Sequence, residues 1–171
     1  MEKRTGVITF LNNPMTLVGK EVKVGEQAPD FTLLDNDLQA KSLKDYEGKV
    51  KIISVVPSLD TGVCDAQTRR FNVEAGNLSD DVIVLTVSMD LPFAQKRWCG
   101  AAGVDKVVTL SDHKEASFGT NYGFLIEELR LLTRGIVVVG KDNKVAYVEY
   151  VPEVTNAVNF DAALEAAKKL I

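Results

Sequence analysis

The stretch Lys51–Leu78, KIISVVPSLDTGVCDAQTRRFNVEAGNL, decides the fold. Its β-branched apolar run, Ile52, Ile53, Val55 and Val56, reads as a buried strand. Pro57 ends that strand, because proline has no N–H to give to a sheet ladder. Asp60 and Thr61 then offer N-cap side chains for a helix. Cys64 falls in the first turn of that helix, where backbone N–H groups lack intrahelical partners and the helix dipole is positive. Both features favour an anion, and the thiolate is the reactive form of cysteine.

The face of the helix adds a second constraint. Cys64, Phe71, Ala75 and Leu78 fall on one side at 3.6 residues per turn, so Cys64 points toward the apolar face. Burial opposes the helix end by favouring the neutral thiol. A reactive thiolate in such a place needs a nearby cation, and the candidates are Arg69, Arg70, Arg97 and Arg134.

A length of 171 residues suits one domain, residues 1–171, with a sizeable core. The net charge of −4 with no basic block argues against nucleic acid or an anionic membrane as a partner. No apolar run approaches the roughly 20 residues of a transmembrane helix. The N-terminus, MEKRTGVITFLNNP, lacks the apolar core of a secretory signal, which favours a cytoplasmic location. Two cysteines, Cys64 and Cys99, and one histidine, His113, are too few for a four-ligand zinc site, and no metal or cofactor is expected. The cysteines are too far apart in sequence for a Cys-x-x-Cys dithiol. A structural disulfide between them would stabilise by about 4 kcal/mol on the chain-entropy account, although a cytosolic chain more commonly keeps a catalytic or transient one.

Outward from the central stretch, residues 1–19 read as an added N-terminal β-hairpin, Val7–Leu11 and Met15–Val18, turning at Asn12-Asn13-Pro14. Phe31–Leu34 reads as a short strand and Ser42–Tyr46 as one helical turn capped by Ser42. Asp81–Met89 is a second strongly apolar strand, and strand–helix–strand order implies parallel pairing with the first. Pro92 opens a helix through about Ala102, with Cys99 near its end beside Trp98. Val107–Leu110 is a short apolar run, and Ser111-Asp112 is placed to cap a turn holding Phe118 and Tyr122. Gly135–Val139 and Lys144–Val151 flank Lys141-Asp142-Asn143, a hairpin signal. Asn159 or Asp161 caps a last amphipathic helix, Phe160–Ile171. The sum is an α/β fold with a mixed central sheet flanked by helices.

This order selects among the cations. Ligands of open α/β sheets bind beyond the carboxyl ends of strands, where Cys64 lies. If the 135–139 strand runs antiparallel to Ile52–Val56, Arg134 starts beside that end and reaches the thiolate. Arg69 and Arg70 are displaced along the helix and read as solvated.

Pro57-Ser58-Leu59-Asp60-Thr61-Gly62-Val63-Cys64 resembles the P-x-x-x-T-x-x-C motif of peroxiredoxins. Gly25–Phe31, Ser88–Ala94, Arg97-Trp98-Cys99, Thr133-Arg134 and the N-terminal hairpin narrow the resemblance to the bacterial thiol peroxidases, the atypical two-cysteine peroxiredoxins. The likeness extends over nearly every residue. It implies a thioredoxin-like fold and reduction of hydrogen peroxide and alkyl hydroperoxides. In the roles it implies, Cys64 is the peroxidatic nucleophile, Thr61 holds the peroxide, Pro57 shields the site and Arg134 hydrogen-bonds the thiolate. Cys99 is the resolving cysteine of the same chain. Further implications are recycling by thioredoxin and a homodimer. An intramolecular Cys64–Cys99 bond requires Cα atoms within roughly 7 Å, so the first turn of the Cys64 helix is expected to unwind.

The same residues have plainer readings. Cys99 is equally buried filler or a redox partner, and Thr61 is most simply a cap. Trp98, Phe93 and Tyr122 read as core or dimer surface, and His113 as a surface residue. A thioredoxin-fold interaction module and a redox sensor passing oxidation to a partner remain as other function classes.

Overall fold

The computed structural model describes residues 1–171. It opens with the hairpin β1 (Lys3–Phe10) and β2 (Asn13–Val18), followed by two-residue strands β3 (Leu33–Leu34) and β4 (Ala40–Lys41) and a 3-10 turn at Leu43–Tyr46. The decisive stretch gives β5 (Val50–Val55) and α1 (Gly62–Ala75). Then come β6 (Val82–Ser88), α2 (Pro92–Ala102), β7 (Val108–Ser111), α3 (Ser117–Tyr122), β8 (Leu125–Ile126) and β9 (Leu131–Leu132). The chain finishes with β10 (Gly135–Val139), β11 (Val145–Tyr150) and α4 (Phe160–Lys168).

The main sheet has seven strands in the order β11-β10-β5-β6-β7-β3-β4. β5, β6 and β7 run parallel, with Val55 opposite Val87 and Val87 opposite Leu110, while β10 runs antiparallel to β5 with Gly135 opposite Val55. All six residues of β5 are buried, as a strand covered on both faces requires. Side chains alternate between two cores. Val50, Ile52, Val84, Ile136 and Val138 face Phe71 of α1 and Ala163, Leu164 and Ala167 of α4. Ile53, Val55, Leu85, Val87, Val137 and Val139 face Phe31, Phe118, Tyr122 and Phe124. Lys51 shares this second face, and its Nζ donates to Asn143 Oδ1 at 2.8 Å instead of reaching a carboxylate.

The hairpin differs from its expected form. Its turn is Leu11-Asn12, both at positive φ (51° and 66°), and β1 begins at Lys3. A two-residue loop with both residues left-handed matches the twist of the flanking strands, and this pulls Asn13 and Pro14 out of the turn and into β2. β2 also pairs with β8 and β8 with β9, giving a second sheet packed through Ile8, Leu17, Ile126 and Val154. The strands β8 and β9 have no sequence periodicity to announce them, since each is two residues long. α4 stops at Lys168, short of the expected Ile171, which is 52% exposed and anchors nothing. Asn159 caps it, accepting from Ala162 N–H at 3.0 Å.

Candidate active site

β5 hands over to the loop 56–61 at the carboxyl end of the sheet. Val56 N–H donates to Val87 O at 3.1 Å, and the buried Pro57 then ends the ladder. Asp90, just beyond β6, pins the loop: its carboxylate accepts from Ser58 Oγ at 2.7 Å, Leu59 N–H at 2.8 Å and Ser88 Oγ at 2.8 Å. Thr61 is the N-cap residue of α1 by its backbone (φ −117°, ψ 150°), but its side chain does not cap. Its hydroxyl donates back to Ser58 O at 3.2 Å, a local turn bond that competes with capping. Asp60 does not cap either, so the first-turn amides of α1 receive no side-chain acceptor. This corrects the expectation that Asp60 or Thr61 would cap the helix.

Cys64 is fully buried against Val56, Leu59 and Trp98. Its sulfur meets Arg134, which sits one residue before β10 and only 2% exposed. The antiparallel register that sets Gly135 opposite Val55 brings Arg134 to the end of β5. The guanidinium donates through Nη2 to Cys64 Sγ at 3.2 Å, through Nε to Val154 O at 2.7 Å and through Nη1 to Gln67 Oε1 at 2.9 Å. Gln67 Nε2 in turn donates to Ser54 Oγ at 2.7 Å. Of the three groups on this cation, only the Cys64 sulfur can become an anion. A buried cation without a counter-charge is expensive, and none of the groups that accept from Arg134 is a carboxylate.

The N-terminal sheet supports this arrangement from behind. Val154 N–H donates to Thr9 O at 2.9 Å, and Thr9 N–H donates to Pro152 O at 2.7 Å. Glu153, between them, accepts from Thr9 Oγ1 and Asn12 N–H, both at 2.8 Å, and from Thr155 Oγ1 at 2.6 Å. The hairpin thus fixes the carbonyl that holds Arg134.

Cys99 lies on the far side of the site. It is half-buried near the end of α2, with its Sγ 3.6 Å from Thr109 Oγ1 of β7. Both cysteines are free thiols. The other candidate arginines, Arg69, Arg70 and Arg97, are exposed. Arg69 pairs with Asp65, and Arg70 with Glu74 at 3.6 Å and Asp161 at 3.5 Å. Arg97 lines an open cleft of about 510 Å³ with Ser58, Leu59, Asp60, Asp90 and Trp98. Phe93 is exposed, Tyr122 is core, and His113 is partly exposed just beyond β7. No group of three or more His, Cys, Asp or Glu side chains is arranged to hold a metal.

Sequence reasoning missed Gln67, Asp90 and Asp65. Gln67 had a readable signal: a polar residue one turn after Cys64 on the same helical face needs a polar partner when buried. Asp90 and Asp65 act across elements distant in sequence, and nothing local announces them.

A buried cysteine at a helix start beyond a parallel strand, paired with an arginine from the adjacent antiparallel strand, defines a thiol-based redox protein of thioredoxin-like fold. The Redoxin family profile matches residues 23–165. The thiol peroxidase of Bacillus subtilis is 63% identical over 164 residues, covering 96% of this chain and 98% of that protein. That of Oceanobacillus iheyensis is 62% identical over 162 residues, covering 95% and 98%. A peroxiredoxin-like protein from Aquifex aeolicus superposes with a TM-score of 0.91 at 40% identity, covering 98% of each chain. The thiol peroxidase from Chromobacterium violaceum shares the fold, with a TM-score of 0.85 at 19% identity. The chain belongs to the Redoxin family, among its bacterial thiol peroxidases. It is a peroxiredoxin-type enzyme that reduces peroxide at the expense of thiols.

Proposed function

We propose that Cys64 is the peroxidatic nucleophile and Cys99 the resolving thiol of a thioredoxin-recycled peroxidase acting on hydrogen peroxide and alkyl hydroperoxides. The observation that carries this reading is the Arg134–Cys64 contact of 3.2 Å in a pocket that offers the guanidinium no carboxylate. The thiolate attacks one peroxide oxygen, the O–O bond breaks, and the other oxygen leaves and takes a proton as water or an alcohol. Charge develops on that leaving oxygen, and fixed donors aimed at it lower the barrier. Arg134 supplies such donors. So do the uncapped first-turn amides of α1, and Thr61, whose hydroxyl sits at the helix entrance, turns toward the peroxide. Pro57 walls the site against water.

The product is a Cys64 sulfenic acid. The Cys99 thiol attacks its sulfur, the S–O bond breaks and water leaves, giving an intramolecular disulfide. Thioredoxin reduces that bond by thiol–disulfide exchange. The enzyme works as a single thioredoxin-like domain, as a homodimer and in the cytoplasm, without metal or other cofactor.

Rapid mixing of the reduced protein with hydrogen peroxide, followed by mass determination, tests the assignment. One oxygen added at Cys64, then loss of water to a Cys64–Cys99 disulfide, is the expected sequence. Oxidation of Cys99 ahead of Cys64 would refute it.

A further inference from the structure

The chemistry above makes no use of Asp65, yet its carboxylate ties two helices together next to both cysteines. Oδ2 accepts the indole N–H of Trp98 at 3.0 Å, and Oδ1 accepts Nε of Arg69. Arg69 lies 5.7 Å from the centre of the Trp98 ring and also donates to Ala102 O at 3.3 Å, at the end of α2. The N–H of Asp65 donates to Thr61 O at 2.9 Å, a bond of the first turn of α1. Trp98 immediately precedes Cys99 and packs on the Val56, Leu59 and Cys64 cluster. An exposed Arg–Asp pair four residues apart contributes little by itself. The cross-helix indole bond is what makes this one a clamp.

The clamp opposes the movement that a disulfide needs. Cys64 Sγ is held by Arg134 where β10 meets β5, and Cys99 Sγ rests against Thr109 of β7. In the order β10-β5-β6-β7 the strands β5 and β7 are two spacings apart, about 10 Å. A disulfide brings the sulfurs to ~2 Å and the Cα atoms within about 7 Å. Unwinding the first turn of α1 carries Asp65 away from Trp98. Tilting α2 carries Trp98 away from Asp65. Either route breaks the same carboxylate–indole bond.

We propose that Asp65 is a positioning residue that, through Trp98 and Arg69, holds the peroxide-reactive conformation and delays formation of the Cys64–Cys99 disulfide. The inference rests on the reading of those two cysteines as a redox pair. The clamp sets how the sulfenic acid partitions. In one branch Cys99 attacks the Cys64 sulfur, the S–O bond breaks and water leaves. In the other a second hydroperoxide transfers an oxygen to that sulfur; its O–O bond breaks, and sulfinate and water or an alcohol result. Thiols do not reverse the second branch. A tighter clamp lengthens the exposure to it.

The test is rapid-quench mass analysis of the full-length reduced protein and its Asp65→Ala, Trp98→Phe and double variants, at low and at excess hydrogen peroxide. Trp98→Phe keeps an aromatic ring and removes only the N–H donor, so it guards against a folding defect in Asp65→Ala. Both single variants should consume the first peroxide no faster than the wild type, because the reactive conformation is held less firmly. Both should form the disulfide about ten-fold faster, the change that about 1.4 kcal/mol makes. Sulfinate at excess peroxide should fall in step, and the double variant should go no further than Asp65→Ala, which already removes the indole bond that Trp98→Phe removes. Wild-type rates and sulfinate yields in both single variants, or additive effects in the double, overturn the clamp while leaving the redox pair intact. A wild-type protein that never forms the Cys64–Cys99 disulfide overturns the redox pair, and the clamp with it.

Discussion

Arg134 and Cys64 lie 70 residues apart in sequence and 3.2 Å apart in space, and Gln67 and Val154 O fix the guanidinium from two further directions. The contact is aimed by backbone register, since Gly135 pairs with Val55, and is locked by side-chain bonds. A cation held this way needs no reorganisation when the sulfur reacts.

Replacing Arg134 by Met should therefore slow oxidation of Cys64 by roughly 10²–10³, the usual loss for a preorganised donor at a developing oxyanion. Arg70→Met should leave it unchanged, because Arg70 is spent on Glu74 and Asp161 at the surface. Stopped-flow rates of the first oxidation distinguish the two. A larger effect from Arg70 would reverse the assignment of the cation.

Gln67→Leu leaves Arg134 Nη1 and Ser54 Oγ without their shared partner. Orphaning a buried polar group costs about 1–3 kcal/mol, so the melting temperature should drop. Oxidation should also slow, by less than in Arg134→Met, since Nε and Nη2 keep their contacts. Calorimetry and stopped-flow on the same variant check both halves.

The central frame was legible because it rests on strong periodic signals. The β5–α1–β6 unit, α2 with Pro92 at its start and Gly103 (φ 68°) at its end, and the β10–β11 hairpin all carry apolar runs or turn residues. Arg134 was legible through topology alone, one residue before a strand whose partner could be inferred. The uncapped helix start was not: Thr61 has the right identity and backbone for a cap, and only the three-dimensional position of Ser58 O decides where its hydroxyl points. Nor were β8 and β9, whose pairing is imposed by β2. The Asp65–Trp98 and Asp90–Ser58 bonds join residues more than thirty positions apart, beyond any local pattern.

Asp112 makes stability fall with rising pH. It is buried at the start of α3, accepting from Phe118 N–H at 3.1 Å and Gly119 N–H at 2.8 Å. Burial outweighs these donors and pushes its carboxyl up to about 6. A carboxyl raised above its unfolded value binds its proton more tightly in the folded state. Its contribution is complete below the ordinary carboxylate range and is lost as pH rises through about 6. The swing is on the order of 3 kcal/mol. Asp112→Asn removes the titration. Denaturant unfolding from pH 4 to 7 should show the wild type losing stability relative to this variant, and a constant difference would refute the shift.

Glu153 acts in the opposite sense and links the hairpin to the chemistry. Its hydrogen bonds from the Thr155 hydroxyl and N–H and from Asn12 N–H hold its carboxyl down at about 2. A depressed carboxyl contributes stability above its unfolded value and loses it as pH falls through the folded one, here between about pH 4.5 and 2. Glu153→Gln should therefore melt below the wild type at neutral pH, and the gap should close as the pH approaches 2. The same substitution loosens the strap whose Val154 carbonyl accepts from Arg134 Nε at 2.7 Å. Cys64 oxidation at neutral pH should slow several-fold, even though Glu153 touches neither the sulfur nor the guanidinium. Melting curves across pH, paired with stopped-flow oxidation of the same variant, measure both. A loss of stability with an unchanged oxidation rate would mean that the hairpin braces the fold but leaves Arg134 alone.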